Sequence, residues 1–221
     1  MYVHVNAAVS VDGKLSSRRR EQVRISGDAD FDRVDRIRAA ADAVLVGVGT
    51  VLADDPHLTL DEEDRCVQRL RDGRPGNPAR VVADSRARTP TDARILDDEA
   101  TTYLLVSDAA DPDRVDALRG AGAEILSVGG DDGRVDLRAA FDALEREGIG
   151  RTMVEGGGEL IFSLFEADLV DELTVYVGSL VIGGREAPTL ADGEGFVDEF
   201  PRLELVDVAR VDDGVLLSYE A

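Results

Sequence analysis

Residues 152–165 read Thr-Met-Val-Glu-Gly-Gly-Gly-Glu-Leu-Ile-Phe-Ser-Leu-Phe. An apolar, β-prone segment over 152–155 runs into three glycines and then a helical pattern through Phe165. Strand, glycine turn and helix together make the repeating unit of a parallel sheet, because parallel strands need a crossover. The sign recurs upstream. Residues 43–48 (Ala-Val-Leu-Val-Gly-Val) are a continuous apolar run that predicts a central strand. Gly49-Thr50-Val51-Leu52 starts a short helix, which Asp54-Asp55-Pro56 stops. Further strands are predicted over 2–9, 80–83, 101–106 and 124–128. Helices are predicted after the Ser26-Gly27-Asp28 cap and over 112–119 and 137–147. Residues 61–78, polar and carrying Pro75-Gly76-Asn77-Pro78, read as a loop. Beyond 165 the texture changes to strands over 172–178, 203–208 and 215–219 with no helix between. The expected fold is therefore α/β: a mostly parallel central sheet flanked by helices, with antiparallel C-terminal strands. No linker divides the chain, so residues 1–221 read as a single domain.

Composition narrows the function. The 221 residues are 43% hydrophobic with a net charge of −21, too apolar for a disordered chain. No apolar stretch reaches the roughly 18–20 residues that span a bilayer, so no membrane partner is expected. A surface this acidic repels phosphate backbones, which argues against nucleic acid. One cysteine and two histidines, His4 and His57, give no zinc-ligand spacing, so no metal is expected. The opening residues lack a signal-peptide pattern, and the lone Cys66 permits no internal disulfide. A cytoplasmic location is expected. Lys14 is the single lysine among 25 basic residues. Arg in place of Lys, with abundant acid, matches a halophilic cytoplasm, where at ~1 M salt charges are screened within about 3 Å. In a chain that avoids lysine, the one retained points to a role.

Four predicted strand ends carry candidate chemistry. Gly156-Gly157-Gly158 followed by Glu159-Leu160 suits a pyrophosphate at a helix start, or else a plain strand-to-helix turn. Glu155, at the end of its strand, suits a polar ligand or a turn cap. Thr50 and Asp54 suit a nicotinamide amide and a ribose hydroxyl, or equally ordinary capping and turn-making. Ser10-Val11-Asp12-Gly13-Lys14 offers Asp12 and Lys14 to a polyhydroxyl substrate, or is a surface turn. Ser85 and Arg86 suit a 2′-phosphate, or are solvated. No Ser-His-Asp or Cys-His set is visible. Glycine turns without a nucleophile or metal set favour a dinucleotide-dependent transfer.

Taken in order, the Ser10–Lys14 turn, Arg24-Ile25-Ser26, Arg36-Ile37-Arg38, the run VGVGTVLADDPHLT over 46–59, Val81-Val82-Ala83-Asp84-Ser85, Val154-Glu155-Gly156-Gly157-Gly158, Leu169-Val170-Asp171-Glu172 and Ile182-Gly183-Gly184 resemble the riboflavin-biosynthesis reductases over nearly the whole chain. The resemblance implies a dihydrofolate-reductase-like fold, a homodimer and NADPH, with NADH as the alternative. It implies cofactor contacts at Thr50, Asp54, Ser85, Arg24 and the helix start around Gly157, Gly158, Glu159 and Leu160. It implies substrate contacts at Lys14, Arg38, Leu58 and Glu155. Some members carry a basic residue where this chain has Asp61, which leaves the substrate phosphate to Arg38. The sequence lacks the His-x-Glu and Pro-Cys-x-x-Cys of the zinc deaminases fused to bacterial members, so a reductase alone is expected.

The expected reaction reduces the ribosylamino side chain of a phosphorylated 2,5-diaminopyrimidine to a ribitylamino group. Lys14 and Asp12 would orient the sugar and assist proton transfer, and Glu155 would fix the pyrimidine or ribose. Three alternatives stand beside it: the deaminated uracil analogue as substrate, a dihydrofolate or pteridine reductase, and a non-catalytic NADP-binding sensor. The apolar segment 173–182 gives a second motive for a dimer, as it exceeds what one sheet edge should expose.

Overall fold

The chain forms nine strands and six α-helices among the described residues of a computed structural model, which describes residues 1–130 and 132–221. In chain order these are β1 (Tyr2–Ser10), α1 (Asp28–Ala40), β2 (Ala43–Gly47), α2 (Val48–Asp54), α3 (Glu63–Arg71), β3 (Ala79–Ala83), β4 (Thr102–Val106), α4 (Pro112–Gly120), β5 (Glu124–Ser127), α5 (Leu137–Arg146), β6 (Arg151–Gly156), α6 (Gly158–Glu166), β7 (Glu172–Gly178), β8 (Glu204–Val211) and β9 (Gly214–Glu220). The chain packs as two compact units. One is Met1 with Asp35–Met153, and the other is Tyr2–Val34 with Val154–Ala221.

The first unit is the alternating β/α part. Its strand order is β5-β4-β3-β2-β6. Pairs β2–β3, β3–β4 and β4–β5 are parallel, with Gly47 opposite Ala83 and Ala83 opposite Leu105. This register brings the carboxyl ends of β2, β3 and β4 level. Val44, Val46, Val82, Leu104 and Ile95 are fully buried, each stabilising by about 1.5–3 kcal/mol.

Helix α3 corrects the expectation of a loop over 61–78. It has no broad apolar stripe, so periodicity misses it. Polar anchors hold it instead. Arg69, 4% exposed, donates from Nη1 to the Ala39 and Ala41 carbonyls, both at 2.7 Å, and from Nε to Pro75 O at 2.9 Å. The alanine carbonyls lie at the C-terminal end of α1, where the helix leaves its acceptors without partners. Buried Asp35 accepts from the Asp61 and Glu62 amides at 2.8 and 3.3 Å and pairs with Arg65, fixing the entry to α3.

In the second unit the order is β6-β1-β7-β9-β8. β1 and β7 are parallel, with Ser10 opposite Gly178. β7–β9 and β9–β8 are antiparallel, as the change of texture predicts. Strand β7 lies between β1 and β9, and Leu173, Val175 and Tyr176 are buried. The expectation that 173–182 forms an exposed apolar edge is therefore corrected, because strands pair with it on both sides. The edge is β8, whose Leu205, Val206 and Val208 are about half exposed. At the β8–β9 hairpin tip, the Asp212 carboxylate accepts from the Ala29 and Asp30 amides at 3.3 and 3.1 Å and so caps α1. Among the described residues, no helix is long and apolar enough to cross a membrane.

Candidate active site

In parallel sheets, ligands gather beyond the carboxyl ends of the strands. In the second unit, β1 ends at Ser10, which is fully buried. Its hydroxyl accepts from the Lys14 amide at 3.0 Å and donates to Asp12 Oδ1 at 2.6 Å. Gly13, at φ +78°, makes the tight return that this hydrogen bonding requires. The Lys14 ammonium donates to Ala187 O at 3.1 Å and has no ion-pair partner among the described residues. Residues 180–192 run back along this turn: Val11 N donates to Leu180 O and Leu15 N to Pro188 O, both at 2.9 Å, and Lys14 bridges Thr189.

Asp12 is exposed, yet its carboxylate is committed. Oδ1 accepts from Ser10 Oγ and Ile182 N (3.0 Å), and Oδ2 from Gly183 N (2.8 Å). These donors, the Ser10 hydroxyl first, pull its pKa from the ordinary 3.8 to about 2. At neutral pH the carboxylate is ionised, and three of its roughly four acceptor positions hold the Ser10 hydroxyl and the two backbone amides.

Glu155 is the penultimate residue of β6 and half-buried. Gly156 follows at φ +121°, which favours glycine. Gly157 precedes α6 and no side chain caps the helix, so its first amides suit an anion. A Cβ on Gly158 would lie 2.4 Å from Thr189 O and 2.9 Å from Asp192 Oδ2, so only glycine fits beneath that crossing backbone. Glu159 is exposed, whereas Leu160 is buried and its side chain serves packing. Arg24 pairs with Asp28, donates to Ser26 O and lies 5.4 Å over the Phe31 ring, at the start of α1.

In the first unit, α2 begins at Val48, so Thr50 is inside the helix and caps nothing. That removes the capping alternative for Thr50. Asp54 ends α2, before Asp55 turns at φ +41°. The Asp54 carboxyl makes no hydrogen bond among the described residues. Partial desolvation by its neighbours pushes its pKa up, although the residue as a whole is exposed. Leu58 is 4% exposed at φ +56°, an uncommon conformation for a branched residue that here fixes the backbone beside Thr59. Arg38 Nη1 donates to Thr59 O at 3.0 Å, tying the end of α1 to that loop.

After β3, Asp84 is fully buried and accepts from the Arg88 amide and from the Thr89 amide and hydroxyl at 2.7–2.9 Å. The loop it closes leaves Arg86 and Arg88 exposed and Ser85 half-buried. Ser85 Oγ accepts from Val135 N at 3.1 Å, which leaves its hydroxyl hydrogen for a ligand. His57, Asp97 and Glu99 bring ligand-type atoms within 4.8 Å of one another. Arg94 Nε already donates to His57 Nε2, and the buried Arg80 pairs with Asp97, so two guanidiniums occupy this trio.

Sequence reasoning missed the contribution of residues 187–192. The Ala187 carbonyl orients Lys14, and Asp192 accepts from Thr189 N and Oγ1 while its amide donates to Gly158 O. The Ile182-Gly183-Gly184 motif just upstream marks a backbone turn and gives no sign of these contacts.

The arrangement is that of a mixed α/β enzyme whose strand-end turns suit an anionic cofactor. The RibD C-terminal domain family matches residues 1–217, and the chain belongs to it. The chain is 47% identical over 213 residues to the 2,5-diamino-6-ribosylamino-4(3H)-pyrimidinone 5′-phosphate reductase of Archaeoglobus fulgidus, covering 96% of this chain and 94% of that protein. It is 44% identical over 222 residues to the protein of that name in Methanothermobacter thermautotrophicus, covering 99% and 97%. A pyrimidine reductase-like protein of Corynebacterium diphtheriae has the same fold, with a TM-score of 0.86 at 20% identity, over 99% of this chain and 91% of that one. The chain is an oxidoreductase of the riboflavin-biosynthesis reductase type.

Proposed function

We propose that this chain reduces the ribosylamino side chain of 2,5-diamino-6-(5-phospho-ribosylamino)pyrimidin-4(3H)-one to the ribitylamino product, with NADPH as donor. The observation that carries the reading is the 47% identity to the Archaeoglobus reductase over 96% of the chain.

Each unit, taken by itself, carries residues that suit part of a dinucleotide. The first amides of α6, without a side-chain cap, suit its pyrophosphate, with Gly156, Gly157, Gly158 and Glu159 forming the approach. Ser85 and Arg86 suit the adenosine 2′-phosphate, and Thr50, Asp54 and Arg24 the remaining polar groups. When bound, the reduced nicotinamide supplies a hydride.

The substrate sugar opens to an imine at C1′. The Lys14 ammonium, held by Ala187 O with two N–H donors left, orients the sugar oxygens and passes a proton to the opened oxygen. Glu155 accepts hydrogen bonds from the pyrimidine or ribose. Arg38 neutralises the 5′-phosphate, and Leu58 packs beside it. The C1′–O bond breaks as the C1′=N bond forms and the nitrogen releases its proton; reduction then adds one hydride at carbon and returns one proton to nitrogen, a net uptake of one hydride and one proton.

A second copy of the chain pairs along β8, where Leu205, Val206 and Val208 stand exposed beside an unpaired strand edge. Light scattering at high salt should give twice the 23.7 kDa of one chain. The deciding assay follows absorbance loss at the reduced-nicotinamide band. The diamino substrate, its uracil analogue and dihydrofolate are run in parallel. Loss with the diamino compound supports the reading. Loss only with the uracil compound or dihydrofolate moves the substrate assignment, and NADPH binding without oxidation by any of them makes the chain a sensor.

A further inference from the structure

Residues 180–192 form a strap along the turn after β1, and at one point it is held by a side chain that takes two successive backbone amides. That side chain is Asp12, through Ile182 N and Gly183 N. Gly183 and Gly184 sit at φ +69° and +91°, where glycine turns freely, so the course of the strap at this point depends on its tether. Five residues on, the Ala187 carbonyl receives the Lys14 ammonium. A shorter link runs through Ser10, whose hydroxyl donates to Asp12 and accepts from the Lys14 amide.

We infer that Asp12 is a positioning residue for Lys14: its carboxylate fixes the strap at Ile182 and Gly183, and the strap's Ala187 carbonyl fixes the direction of the Lys14 ammonium. The inference rests on the reading above in which Lys14 acts on the substrate. Three of the roughly four acceptor positions of Asp12 are filled by Ser10 and the strap, so its carboxylate serves chiefly to hold backbone. Losing the tether therefore affects the aim of Lys14 more than the affinity for the pyrimidine.

The test is a double-mutant cycle on kcat with Asp12→Ala and Lys14→Ala. Asp12→Ala alone lowers kcat by roughly 10-fold or more while the pyrimidine KM stays within about threefold. In the Lys14→Ala background the same change costs less than about threefold, because the group it serves is gone. Losses that multiply in full overturn the inference. Asp12→Asn keeps one acceptor and restores part of kcat, and Ser10→Ala, which cuts only the shorter link, lowers kcat by about threefold. These two variants run the same cycle if Asp12→Ala does not fold. Hydrogen exchange reads the tether without any turnover: the Ile182 and Gly183 amides exchange at least about 10-fold faster in Asp12→Ala. Unchanged exchange overturns the tether even in an active enzyme. A wild-type protein that reduces no pyrimidine overturns the reading of Lys14, and with it the role assigned to Asp12, while the exchange experiment still judges the tether.

Discussion

The turns after β1 and β3 use the same device to different ends. Each places an aspartate just beyond a strand, and each aspartate gathers backbone amides. Asp84 gathers them from its own loop, at Arg88 and Thr89, and is sealed from solvent. Asp12 gathers them from Ile182 and Gly183, far along the chain, and stays exposed. The first closes a rigid loop that presents Ser85 and Arg86. The second holds a strap beside Lys14. A carboxylate's partners, more than its position after a strand, decide whether it stiffens one loop or joins two.

The contrast breaks most sharply at Lys14. Lys14→Ala should lower kcat by ~10²-fold or more with NADPH binding little changed, read by steady-state kinetics and by titration of cofactor fluorescence. Near-normal turnover would remove Lys14 from the chemistry and leave the β1 turn as structural as the β3 turn. Asp84→Ala strands three donors in a buried loop and should cost about 2–3 kcal/mol of stability, seen as a lower urea midpoint. A midpoint within error of the wild type would mean the loop does not need its aspartate. Arg86→Ala should raise the KM for NADPH about 10-fold while leaving that for NADH within about twofold. Equal effects on both cofactors would separate Arg86 from the 2′-phosphate.

The smallest effect concerns acid. The Asp12 pKa is depressed from 3.8 to about 2, so its charged form is favoured in the folded protein. Its contribution is complete above 3.8 and is lost as pH falls through about 2. Protection of the Ile182 and Gly183 amides should fall over that window in the wild type and stay flat in Asp12→Asn. Similar pH profiles in both would assign acid sensitivity to other carboxylates.

The strands and most helices are legible in the sequence because their apolar runs and glycine stops are local signals. The 43–48 run, the helix start at Pro112 and the antiparallel C-terminal strands all follow from composition and spacing. Helix α3 is not legible, because Arg69 anchors it to carbonyls about 30 residues upstream and no stripe of apolar residues records that. Hydrophobicity alone points to an exposed edge at 173–182. Only strand order shows that β9 covers β7 and leaves β8 outermost. In the candidate site, the residue types at the strand ends are readable one by one. The tether from Asp12 to the segment beside Lys14 is not, since it turns on residues 182–187.

The two units also differ in how their sequence is ordered. Apart from Met1, the first is one continuous stretch, Asp35–Met153, whereas the second joins Tyr2–Val34 to Val154–Ala221. During synthesis the first can collapse once it has emerged, but β1 must wait for β7, and α1 for its Asp212 cap. A nascent chain stalled before Asp212 thus holds the continuous β/α unit without the cap on α1, which makes closure of the split unit the later step of folding.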